Sequence, residues 1–61
     1  MLYVVTSSTR GLLLITRDKV SANRRFDRAE LSMAEDEVIE MADYECIGDD
    51  FQRVGRMRKA P

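Results

Sequence analysis

Histidine and tryptophan are absent from this chain, cysteine and proline occur once each, and glycine three times in 61 residues. Without histidine there is no Cys–His zinc finger and no Cys–His nucleophile pair. The lone Cys46 excludes an internal disulfide and suits the reducing cytosol. No stretch reaches the ~20 consecutive apolar residues a membrane span requires. Two apolar runs, Leu2–Val5 and Leu12–Ile15, are split by Thr6–Gly11, and no basic leader precedes the first, so neither a span nor a signal peptide is expected. A cytoplasmic location follows.

Positive charge is missing from the middle of the chain. Between Ala29 and Gln52 there are nine acidic side chains and no basic one, whereas Met1–Arg28 and Arg53–Pro61 each carry a net charge of +4. The overall −1 conceals a strongly dipolar molecule, and on a very small protein such blocks point to a docking surface. Sixty-one residues make a single domain, residues 1–61, that buries only roughly 60% of the surface of its unfolded chain. A deep substrate pocket of ~300 Å³ or more needs a larger scaffold, which favours binding by a surface.

Leu2–Thr6, the turn chemistry of Ser7–Gly11 and the apolar Leu12–Thr16 read as a β-hairpin, the unbroken Leu12–Ile15 run suggesting a central strand covered on both faces or, as the lesser alternative, one exposing an apolar face to a partner. Arg17–Arg28 lacks clear periodicity and reads as mostly irregular. Ser32-Met33-Ala34-Glu35 has the form of a capping box, which predicts a helix from there to Gly48. Its apolar stripe is Ala34, Val38, Met41 and Ala42, with Asp36, Glu37, Glu40 and Asp43 opposite. Phe51–Arg58 reads as a final strand, with Phe51, Arg53, Gly55 and Met57 on one face, Arg56 and Arg58 on the other, and a bulge at Gly55. The expected fold is α+β: a hairpin, one helix and a C-terminal strand in the order β-β-α-β, a single layer of antiparallel sheet packed on a helix.

Arg53, Arg56, Arg58 and Lys59 form a basic patch suited to gripping carboxylates or phosphates, and they are the leading partner-binding residues. Their alternative role is salt bridging within the molecule. The stripe Asp36, Glu37, Glu40 and Asp43 is a candidate acidic surface, set against an ordinary solvated helix face. Arg24, Arg25 and Arg28 around Phe26 have the composition of a nucleic-acid contact, although a solvated loop anchored by Phe26 is the simpler reading. Met33, Met41, Met57 and Cys46 read as core or rim residues. No nucleophile stands beside a base, no glycine-rich phosphate loop occurs, and Asp49-Asp50 is too sparse for calcium. No catalytic residue, metal or cofactor is therefore expected, and the protein reads as a non-enzyme.

Glu35-Asp36-Glu37-Val38-Ile39-Glu40-Met41-Ala42 and Asp50-Phe51-Gln52-Arg53-Val54-Gly55-Arg56-Met57-Arg58 resemble the acidic helix and closing strand of the small host RNA polymerase inhibitors made by short-tailed coliphages. The resemblance covers the second half of the chain. That family's tryptophans are missing, and the first half is longer here by a Lys19–Leu31 insertion. It implies that Arg56 and Arg58 grip acidic residues on the jaw of the polymerase largest subunit while the acidic helix obstructs DNA loading. It also implies a phage-encoded protein acting in the host cytoplasm.

The sequence thus favours a protein-binding inhibitor that docks on a large bacterial complex, RNA polymerase foremost. The rivals are an anti-defence inhibitor that imitates DNA with its acidic helix to occupy a nuclease complex, a nucleic-acid-binding module of two helices (Asp27–Cys46 and Asp49–Lys59), and a homo-oligomer paired through a sheet edge.

Overall fold

The β-hairpin forms where the turn chemistry places it. In the computed structural model, which describes residues 1–61, β1 (Leu2–Ser7) and β2 (Gly11–Thr16) pair antiparallel, from Tyr3 opposite Thr16 to Ser7 opposite Gly11. Ser7 Oγ accepts hydrogen bonds from Thr9 N and Arg10 N, which tightens the turn. Gly11 leaves it at φ 80°, a left-handed conformation that glycine adopts without steric cost.

The helix lies elsewhere than the capping-box reading puts it. α1 spans Lys19–Glu30, inside the segment read as irregular, and Ile39–Ile47 is the strand β3. Asp18 is the true N-cap: its carboxylate accepts from Val20 N and Ser21 N. Ala22, Phe26 and Ala29 then recur at helical spacing and are all buried, so the expected anchoring of Phe26 in the core holds while the loop around it does not. Arg28 in the last turn suits the negative end of the helix dipole.

Two physical reasons keep residues 34–47 out of a helix. Asp36 and Glu40, and Glu40 and Asp43, would stand three or four residues apart with no cation among them, each such pair costing ~0.2–0.5 kcal/mol. As a strand, the segment supplies what β1 lacks on its open side. Residues Ile39–Tyr44 pair with Leu2–Ser7 along the whole of β1, and Ile39 and Met41 join Tyr3 and Val5 against the helix.

β4 (Asp50–Lys59) confirms the final strand and pairs antiparallel with β3. The sheet order is β2-β1-β3-β4, so the architecture is α+β with one helix on one face of a single antiparallel sheet, in the order β-β-α-β-β. The two-helix arrangement that the nucleic-acid reading requires is thereby contradicted. β2 is an edge strand rather than a covered one, and Leu12 and Ile15 are 58% and 52% exposed. Beyond the Leu2–Tyr44 pair, Glu45–Ile47 and Asp50–Gln52 pair only with each other, forming a two-stranded arm that contributes to overall dimensions of 39 × 19 × 15 Å. Gly48, at φ 62°, makes the turn at its tip. No helix is long and apolar enough to cross a membrane.

Candidate protein-docking face

With α1 on one side, the other face of the sheet is left uncovered. Directly opposed residues in an antiparallel sheet share a face, and β3 alternates: Ile39 and Met41 face the helix, so Glu40, Ala42 and Tyr44 face away. Their partners on β1, Thr6, Val4 and Leu2, lie on the same uncovered face, as does Ile15 through Val4. The middle of this face is therefore mainly apolar.

Its border along β4 is basic. Arg58 is opposite Glu40, Arg56 opposite Ala42 and Arg53 opposite Tyr44. Simple alternation would put Arg53 on the other side from Arg56, as the sequence reading had it. The register shifts instead between Asp43 and Tyr44: Asp43 pairs with Gly55 and Tyr44 with Arg53, leaving Val54 as the extra residue. The bulge expected near Gly55 is thus present one position earlier, and it turns Arg53 onto the face of Arg56 and Arg58. Phe51, opposite Cys46, extends the same face along the arm. Gly55 serves a different purpose: a Cβ there would come 3.3 Å from Asp43 Oδ2, so glycine admits the carboxylate on the helix side.

The only acid paired with these arginines is Glu40, 3.8 Å from Arg56 Nε and 3.4 Å from Arg58 Nη2. Three guanidinium groups and one carboxylate leave the border with a surplus of positive charge, and Arg53 forms no salt bridge. Lys59 does not belong with them. It is opposite Ile39 and turned to the helix, with Nζ 2.8 Å from Asp27, 3.2 Å from Glu30 and 4.7 Å from the centre of the Phe26 ring. The hydrogen bond from Lys59 to Asp27 holds its amine above the usual lysine range.

The proposed acidic stripe is dispersed, because its helix does not form. Asp36 is exposed in the loop before β3, Asp43 is half-buried on the helix side of the sheet, and Glu40 lies on the uncovered face. Glu37 is 1% exposed. Its carboxylate accepts from Ser7 Oγ, from Arg10 Nε at 2.7 Å and from Ala34 N at 3.0 Å. These bonds, led by the Ser7 hydroxyl, lower its pKa from 4.5 to about 2. Arg10 also donates to Ser32 Oγ and to the Ala29 carbonyl, so one ion pair, buried on its Glu37 side and open to solvent on its Arg10 side, ties the β1–β2 turn, the end of α1 and the loop before β3 together. Sequence reasoning missed this lock, since its members are separated by 27 residues and no local spacing relates them.

No group of three or more Cys, Asp or Glu side chains is placed to hold a metal ion. No protein-family model, curated protein sequence or solved structure matches the chain.

Proposed function

We propose that this protein is a small, non-enzymatic, cytoplasmic inhibitor that docks through its uncovered sheet face on an acidic surface of a large bacterial complex. One observation carries the reading. The Val54 bulge gathers Arg53, Arg56 and Arg58 on one side of the sheet, beside an apolar strip, with a single carboxylate among them. Arginines bordering an apolar centre match the composition of a protein-binding surface, and bidentate guanidinium contacts give such a face direction. RNA polymerase is the favoured target, on the resemblance of Asp50–Arg58 to the closing strand of the coliphage inhibitors, and a phage origin goes with it. Obstruction of DNA falls to the exposed arm, which carries Glu45 at its base, Asp49 and Asp50 at its tip, and no cation.

The test is direct binding of the purified chain to purified bacterial RNA polymerase, with native protein compared to the Arg56→Glu, Arg58→Glu double variant. Both arginines are exposed and their pairs with Glu40 are surface ones worth ~0–1 kcal/mol each, but reversal sets glutamates beside Glu40, so the variant's circular dichroism spectrum is first shown to match the native one. Binding by the native chain alone supports the reading. Equal binding by both, or by neither, overturns it.

A further inference from the structure

The two edges of the sheet are protected unequally. Each edge strand presents a row of backbone N–H and C=O groups with no strand partner, a template for another strand unless charge, proline or a covering element blocks it. β4 carries Arg53, Arg56, Arg58 and Lys59. β2, from Gly11 to Thr16, carries no charge at all, and its Leu12 and Ile15 stand more than half exposed on the uncovered face.

On its other side β2 meets arginines. Leu14 borders an open cleft of about 260 Å³ with Ser21, Arg24, Arg25 and Arg28. A second cleft of about 450 Å³, lined by Arg10, Arg25, Arg28, Leu31 and Ser32, shares two of them. Neither has a carboxylate in its wall. Arg10 is committed to Glu37, but Arg24, Arg25 and Arg28 enter no salt bridge. The helix divides its charges: Asp27 and Glu30 meet Lys59 beside β4, and the arginines stand beside β2.

We propose that the β2 edge accepts an extended segment of a partner protein as a fifth strand, one that alternates acidic and apolar residues. Backbone hydrogen bonds to β2 supply the general affinity and the two faces supply the specificity. Side chains on one side of the incoming strand set carboxylates against Arg24, Arg25 and Arg28, and those on the other pack on Leu12 and Ile15. A second copy of this chain fits poorly. Antiparallel pairing of β2 with β2 would bring Arg10 of one copy toward Arg17 and Lys19 of the other and crowd both arginine clefts together. The β2 edge lies across the sheet from the arginines of β4, and although Ile15 belongs to the uncovered face, reversal of Arg56 and Arg58 should leave this binding unchanged, so the two proposals are tested separately.

The test uses the full ¹⁵N-labelled chain and three probes: a peptide of about eight residues alternating glutamate and valine, long enough for one strand, a peptide of the same composition with its glutamates in one block, and a single-stranded oligonucleotide of equal charge. The expected result is binding of the alternating peptide with amide shifts and slowed hydrogen exchange confined to Gly11–Thr16 and α1. The block peptide and the Arg24→Glu, Arg28→Glu variant should each bind about tenfold more weakly or worse, the variant keeping the native circular dichroism spectrum. Equal binding of the two peptides, tighter binding of the oligonucleotide without protection of β2, no binding of any probe, or a dimer in which β2 is already protected each overturns the proposal.

Discussion

Ile39 and Ile47 open and close the same strand, and removing one methylene from each separates the core from the arm. Ile39 is fully buried among Tyr3, Val5, Phe26 and Met41, whereas Ile47 is 53% exposed near the arm tip. A buried methylene is worth about 0.8 kcal/mol, and Ile→Val in a core costs ~0.5–1.5 kcal/mol once the cavity left behind is included. Ile39→Val should therefore cost about 1 kcal/mol. At Ile47 the group is only about half removed from water, so the cost is ~0.4 kcal/mol or less. For a domain of this size 1 kcal/mol moves Tm by ~4–8 °C, which predicts a fall of that order for Ile39→Val and of ~3 °C or less for Ile47→Val. The two residues have similar strand propensity, so the difference isolates burial. Thermal unfolding followed by circular dichroism reads it, with a urea midpoint as a second measure. Equal losses, or a larger loss at Ile47, would refute the placement of β3 with its beginning in the core and its end in the arm.

Three further outcomes follow from the side-chain network and from the turn of the arm. Because the folded pKa of Glu37 is lowered to about 2, its stabilisation is present above its unfolded value of 4.5 and is lost as pH falls from there toward 2. A pH series of Tm should show that acid limb, and Glu37→Gln should flatten it. Lys59 is the opposite case: its pKa is raised, so its contribution is complete below 10.5 and disappears as pH rises beyond it. Lys59→Met should cost about 0.5–1 kcal/mol by chemical denaturation, since its acid partners are largely exposed and the Phe26 contact is a modest addition. Gly48→Ala, which forces a Cβ into a left-handed turn, should cost about 1 kcal/mol or more locally and appear as faster amide exchange across Glu45–Gln52, with Gly48→Asn milder.

The elements readable in the sequence were those whose signals are local. Strand residues around a Ser-Ser-Thr-Arg-Gly turn defined β1 and β2, and alternation with a glycine defined β4 and its bulge. α1 escaped because its apolar stripe is only Phe26 between two small residues, Ala22 and Ala29, among charges, and because Asp18 caps it without a glutamate three residues on. Residues 34–47 misled because Ala34, Val38, Met41 and Ala42 satisfy a helical spacing while Ile39, Met41 and Asp43 satisfy a strand. The like charges of Asp36, Glu40 and Asp43 tell against the helix by only a few tenths of a kcal/mol per pair, and the need of β1 for a second partner, a tertiary fact, settles the matter. For the candidate site, Arg56 and Arg58 on one face were legible. The company of Arg53 required the bulge register, and the withdrawal of Lys59 required knowing where the helix lies.

The charge blocks survive folding in altered form. Internal pairing consumes Arg10 with Glu37 and Lys59 with Asp27 and Glu30, and Glu40 is shared between Arg56 and Arg58. What remains is largely sorted in space: Arg17, Lys19, Arg24, Arg25 and Arg28 attend β2 and α1 with the capping Asp18 as their one acid, Arg53 borders the uncovered face, Asp43 lies against Gly55, and Glu35, Asp36, Glu45, Asp49 and Asp50 occupy a loop and the arm. A chain selected for stability alone would interleave these signs, since pairs three or four residues apart stabilise a helix and opposite charges across a strand pair stabilise a sheet. An isolated two-stranded arm bearing Ile47 and Phe51 about half exposed is likewise marginal in water. Both features are costs in the free chain, and a partner bound as proposed would offset both by supplying counter-charges and covering the arm. The surfaces left unsatisfied by folding are therefore the surfaces at which partner binding should be sought.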